Sequence, residues 1–149
     1  RSFRKITLGQ AEVLKEGNDI VLWVLGDRVY DFFPRIEEME KCLGCKIGLI
    51  NARFAKPLDK PLLLQQSKTA KLFVTIEDNV LAGGFGSAVL ETLSDAQKTV
   101  PVLRIGWPDR FIPFASNLED LQRPYGLLTD QVEATITRTW NAMCLGVPY

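Results

Sequence analysis

The sequence predicts an α/β protein: a three-layer α/β/α sandwich on a five-stranded, mostly parallel sheet with one antiparallel edge strand. Three observations point there. Short apolar runs, among them Ile20–Leu25, Lys71–Ile76 and Val100–Ile105, have the composition of strands buried on both faces. Between them lie stretches whose apolar residues recur every three or four positions, the period of a helix face. Clusters of Gly, Asn, Asp and Pro separate the two kinds of segment.

The half-polar run Ala11–Glu16 is the first strand. The turn formers Gly17-Asn18-Asp19 follow it, and so tight a turn predicts that it pairs antiparallel with the second strand, Ile20–Leu25. Val29, Phe33, Ile36, Met39 and Leu43 form one helical face, with Pro34 confined to the first turn and Gly44 ending the helix. Lys46–Ile50 is a short strand. Asp59 can cap a helix from Lys60 to about Ser67, with Pro61 in its first turn. Lys71–Ile76 is the fourth strand. Phe85, Val89, Leu93 and Ala96 form the apolar side of the next helix, and Val100–Ile105 is the fifth strand, with Pro101 at its start. A loop over Asp109–Ser116 and a short helix over Leu118–Gln122 lead to a last helix from Asp130. There Glu133 would complete a capping box, and Val132, Ile136, Trp140 and Met143 would be buried.

The chain has 149 residues, enough for one domain with its own core. Lys and Arg number 18 and so do Asp and Glu, so no net field favours nucleic acid or an acidic membrane. Apolar runs stop at about six residues, against the roughly 20 that span a bilayer. There is no histidine, which excludes Ser–His and Cys–His nucleophile pairs and His-ligated metals within this chain. Of three cysteines, Cys42 and Cys45 form a Cys-x-x-Cys that closes a helix, where the dipole does not activate a thiol. Two small apolar thiols are the expectation. The odd count and the lack of a secretion signal fit a cytoplasmic protein. The chain does not begin with Met, so residues 1–9 are expected to be a linker from upstream domains and 10–149 the domain itself.

The segment most suggestive of a site is Val74-Thr75-Ile76-Glu77-Asp78-Asn79, followed by a turn with Gly83, Gly84 and Gly86. It lies where a parallel strand gives way to a helix, the usual place for ligands in such sheets. The N–H groups of Gly84, Phe85, Gly86 and Ser87 could face an anion. Yet G-G-x-G is neither of the established nucleotide fingerprints, and glycine also serves tight turns and close packing. Glu77 and Asp78 are adjacent and point to opposite faces of a strand, so one carboxylate can cap the turn while the other is solvated. Arg53 and Lys56 follow another strand end and suit phosphate or ion pairs, and Asp109 and Arg110 suit an ion pair or a loop organiser. Asn79 completes the candidate anion or interface set with Glu77, Gly83, Gly84, Phe85, Gly86, Ser87, Arg53 and Asp109. Trp23, Trp107 and Trp140 are expected to anchor the core or an interface.

Several of these segments carry a resemblance. Arg53-Phe54-Ala55-Lys56-Pro57-Leu58-Asp59, Val74–Asn79, Gly83-Gly84-Phe85-Gly86-Ser87, the strand running into Pro108-Asp109-Arg110-Phe111-Ile112-Pro113, and Tyr125-Gly126-Leu127 occur in the order and spacing of the 1-deoxy-D-xylulose-5-phosphate synthase family. The chain, over about residues 10–140, resembles that family's third, C-terminal domain, of the transketolase C-terminal type. The resemblance implies a thiamine-diphosphate enzyme as parent, joining pyruvate to glyceraldehyde 3-phosphate with loss of carbon dioxide at the start of the non-mevalonate isoprenoid route. It implies that the first domain binds the diphosphate and Mg²⁺ and the second completes the catalytic site, that this domain packs on them and supports a homodimer, and that the wider superfamily offers a regulatory-ligand site here. No residue of this chain matches a family catalytic position, so catalytic, cofactor and metal residues are all expected to lie elsewhere. On this reading the glycine turn is scaffolding and interface. One position departs from the family: Phe114 stands where a polar residue, often histidine, follows F-I-P.

Overall fold

The computed structural model describes residues 5–114 and 117–147. Residues 1–4 of the expected linker, and Ala115 and Ser116 of the expected loop, lie outside the described residues. The strands are β1 (Glu12–Lys15), β2 (Ile20–Leu25), β3 (Ile47–Asn51), β4 (Leu72–Val80) and β5 (Val102–Trp107). The helices are α1 (Val29–Phe32), α2 (Ile36–Leu43), α3 (Lys60–Gln66), α4 (Phe85–Asp95), α5 (Leu118–Gln122) and α6 (Thr129–Leu145), with 3₁₀ turns at Phe33–Arg35 and Arg123–Tyr125.

The sheet has the order β1-β3-β2-β4-β5. All neighbours are parallel except β1 and β3. Two cores flank it. Ile20, Leu22 and Val24 of β2 pack under α1, α2 and α6, with Phe32, Ile36, Ile136 and Trp140. Val21 and Trp23, on the opposite face of the same strand, pack under α3 and α4, with Leu63, Phe85 and Val89. This is the three-layer α/β/α sandwich that the apolar runs predict.

The antiparallel edge strand is where it was expected, but its partner is β3, not β2. Glu12 lies opposite Asn51 and Val13 opposite Ile50. The reason is burial. Residues 20–24 of β2 are at most 1 % exposed, so both flanks of this strand belong to other buried strands, whereas β1 is half-exposed and takes the rim. The Gly17-Asn18-Asp19 segment is a crossover beneath β3. A Cβ on Gly17 would stand 2.2 Å from the carbonyl carbon of Ile47. Asp19 fastens it by accepting the Lys46 N–H at 2.7 Å.

The expected helix from Val29 to Leu43 is broken. Pro34 lacks an N–H, and residues 33–35 tighten into a 3₁₀ turn. The tighter winding shifts the phase, so Phe32 is buried and Phe33 is 54 % exposed. Gly44 does end α2, in the left-handed region at φ 62°. Asp59 caps α3 by accepting the Leu62 N–H. At α6 the expected capping box is wrong. The helix begins at Thr129, Gln131 accepts the Leu128 N–H at 3.2 Å, and Asp130 and Glu133 both bind Arg35 instead. Strand β4 runs past Ile76 to Val80, with an irregular register against β5 between those residues, and β5 runs on to Trp107.

Candidate functional site

The β4–α4 turn is built from the strand upward. Alternation along β4 puts Phe73, Thr75 and Glu77 on the α4 face. Glu77 is 1 % exposed. One carboxylate oxygen accepts the Phe85 N–H at 2.7 Å and the other the Gly86 N–H at 2.8 Å. Two of the free donors that open α4 are therefore satisfied by a negative group placed at the positive end of the helix. Asp78 points the other way and accepts the Trp107 indole N–H at 2.6 Å. The two adjacent carboxylates thus do different jobs, one inside and one at the surface.

The glycines make the close approach possible. A Cβ on Gly84 would lie 2.3 Å from Glu77 Oε2 and from the Val80 carbonyl oxygen. A Cβ on Gly86 would lie 2.6 Å from Thr75 Oγ1 and 2.9 Å from Arg104 Cδ. Gly83 adopts φ +69°, in the left-handed region that side chains avoid. Ser87 Oγ donates to the Leu81 carbonyl at 2.9 Å, and Arg104 Nη1 donates to the same carbonyl and to Ser87 Oγ. Thr75 Oγ1 is fully buried without a hydrogen-bond partner.

Of the other candidate residues, Asn79 is exposed, although its backbone oxygen abuts Gly106. Arg53 sits two strands away, at φ 57°, ion-paired with Glu12 at 2.5 Å, and so ties β3 to β1. Asp109 is exposed in the loop after β5, and its neighbour Arg110 lies over the Tyr125 ring at 4.7 Å. The structure therefore brings Glu77, Gly84, Phe85, Gly86 and Ser87 together, and leaves Arg53 and Asp109 apart from them. Thr75 and Arg104 belong to the same cluster and were not singled out from the sequence. A lone Arg in the apolar run Val102–Ile105 was the available signal.

A second feature lies at the carboxyl ends of β2 and β4. Those neighbours are where the chain's crossovers diverge, β2 leading to β3 on one side and β4 to β5 on the other. A cleft of about 610 Å³ there is lined by Asp27, Arg28, Asp31, Asp78 and Arg123, among others. Arg28 is 7 % exposed, donates to the Leu127 carbonyl at 2.7 Å and lies 5.8 Å from the Phe32 ring centroid. Burial holds its guanidinium below its ordinary pKa, while Asp31, Asp78 and Asp27 oppose that shift. Its partners tie β2 to the start of α6.

Trp23 is fully buried and donates its indole N–H to Gln66, Trp140 is buried, and Trp107 meets Tyr125 edge-on at 5.6 Å. Cys42, Cys45 and Cys144 are free thiols. Burial pushes the Cys45 thiol up to about 11, the opposite of an activated nucleophile. Among the described residues, no group of three or more His, Cys, Asp or Glu side chains is arranged to hold a metal ion, and no helix is long and apolar enough to cross a membrane.

The comparisons with known proteins agree with this fold. The sequence model of the family "Transketolase, C-terminal domain" matches residues 9–132. The chain is 43% identical over 136 residues to 1-deoxy-D-xylulose-5-phosphate synthase of Caldanaerobacter subterraneus subsp. tengcongensis, covering 91% of this chain and 22% of that protein. It is 43% identical over 129 residues to the synthase of Thermomicrobium roseum, covering 87% and 20%. The chain thus spans about a fifth of the length of these relatives. Among solved structures, a chain described as a split gene transketolase, inactive beta4 tetramer, superposes with a TM-score of 0.80 at 29% identity, over 93% of this chain and 44% of that one.

Proposed function

The chain belongs to the transketolase C-terminal domain family, and on that premise we propose that it is the C-terminal domain of a 1-deoxy-D-xylulose-5-phosphate synthase-like transferase. The parent would join pyruvate to glyceraldehyde 3-phosphate in isoprenoid precursor synthesis, in the cytoplasm. The chain's part is structural. It packs on the domains that do the chemistry and supports their homodimer, and it has no activity alone.

The observation that carries this reading is the 43% identity over 136 residues to synthases that are several times longer. The turn geometry supports it. Thiamine diphosphate needs free donors for its phosphates, and Phe85 and Gly86 already give theirs to Glu77. The residues present do not fit the cofactor, so thiamine diphosphate and Mg²⁺ are assigned to other parts of the parent. A regulatory or anion-binding module of another transketolase-like enzyme is the second reading, favoured by the cleft around Arg28.

The test is a synthase assay on the full-length parent with pyruvate, glyceraldehyde 3-phosphate, thiamine diphosphate and Mg²⁺, alongside this chain. Deoxyxylulose phosphate from the parent and none from the chain is the expected result. A folded, cofactor-loaded parent that makes none would overturn the substrate assignment and turn attention to the loop at Phe114.

A further inference from the structure

We infer that the β4–α4 turn is a carboxylate receptor that the chain fills with its own Glu77, closing it to anions from outside. The receptor has the parts of an anion site. It offers two adjacent N–H donors, those of Phe85 and Gly86, at the start of an 11-residue helix. Beneath Gly86 lies the buried Thr75 hydroxyl, which has no partner and gives no hydrogen bond to the carboxylate. The Arg104 guanidinium closes the turn through Leu81 and Ser87.

The occupant is what differs from an ordinary anion site. Each Glu77 oxygen takes one N–H, a fork that matches a planar carboxylate. The walls are close to it. The Cβ positions of Gly84 and Gly106 would fall 2.3 Å from Glu77 Oε2 and 3.0 Å from Glu77 Cγ. A tetrahedral phosphate carries further oxygens that these two N–H donors leave unpaired. The seat therefore selects a small carboxylate, and the chain supplies one covalently, from eight residues before the helix begins. A tethered group competes at a high effective concentration, so free anions do not displace it. This inference holds whichever larger protein the chain serves.

The experiment uses the 149-residue chain, its Glu77→Ala variant, and three probes: formate, acetate and inorganic phosphate, with sodium chloride at matched ionic strength as control. In the wild type, no probe should move Tm beyond the chloride control, and the Phe85 and Gly86 amide resonances should stay in place. In Glu77→Ala, Tm should fall. Formate should then raise it saturably and return both amide resonances toward their wild-type positions, acetate less so, and phosphate not at all. Phosphate or formate shifting those amides in the wild type would overturn the inference, as would a folded Glu77→Ala that ignores formate. Should that variant not fold, Glu77→Gln keeps the size and loses one acceptor. One of the two amides should then lose protection against hydrogen exchange, and both remaining fully protected would overturn the inference.

Discussion

Two turns lie at the carboxyl edge of the sheet and treat solvent in opposite ways. In the turn from β4 to α4, Glu77, Gly84, Phe85 and Gly86 are buried, and the carboxylate is consumed by the chain's own donors. In the loop after β5, Phe111 and Phe114 are fully exposed, at 102% and 101%. The glycine-rich segment has the composition of a ligand loop, and its residues 84–86 are buried in the fold. The proline-flanked segment has the composition of a connector and presents two aromatic rings. Glycine content reports how closely backbones approach, and the neighbours decide whether that approach serves a ligand or the fold.

The comparison can be broken or sharpened by substitution. The largest effect is expected at the buried turn. Glu77→Ala leaves two buried N–H groups unpaired, at about 1–3 kcal/mol each, so urea unfolding should show a loss of several kcal/mol. A loss under about 1 kcal/mol would put the turn in the same class as the exposed loop. Gly84→Ala drives a methyl group into Glu77 and the Val80 carbonyl, and about 3 kcal/mol should be lost by the same measurement. Thr75→Val replaces an orphan hydroxyl with a methyl of similar size, and should leave stability unchanged or raise it by up to about 1 kcal/mol. Phe111→Ser and Phe114→Ser should change it by no more than about 0.5 kcal/mol, since the rings touch little.

A contrast at the amino edge sharpens the same point. The Lys71 ammonium, then the Lys46 N–H, hold the Asp19 carboxyl below its ordinary 3.8, against the opposing effect of burial. A carboxylate depressed in the folded state adds stability that is present above its unfolded pKa and lost as pH falls through the folded one. Acid titration of unfolding should therefore show less loss below about pH 4 in Asp19→Asn than in the wild type. Thiol accessibility is the simplest check. Iodoacetamide on the native chain should label Cys42 and Cys144, and reach Cys45 only after denaturation.

Much of the fold was legible because it rests on local signals. Asp59 ahead of Lys60-Pro61 announces the α3 cap, Gly44 the end of α2, and the apolar runs the buried strands. The misses are non-local or depend on phase. Nothing near Glu12 or Lys15 says that Asn51 and Leu49 will lie opposite them. Phe32 and Phe33 are equally apolar, and a 3₁₀ turn at Pro34 decides between them. At the candidate site, a glutamate and three glycines were visible, but which way Glu77 faced was not. That depended on β4 continuing past Ile76 so that alternation carried Glu77 beneath α4. Thr75 and Arg104 join only through the β4–β5 register, which places them opposite each other.

The crossover beneath β3 has a kinetic meaning. A hairpin between β1 and β2 would have closed a three- or four-residue loop, a fast local event on the order of microseconds. Pairing β1 with β3 instead makes its docking wait until the intervening helices have brought β3 alongside β2. The rim strand is then expected to join the sheet after β3 has paired with β2 and to detach before they part. Substituting Val13, which faces Ile50 there, should speed unfolding and leave the refolding rate almost unchanged.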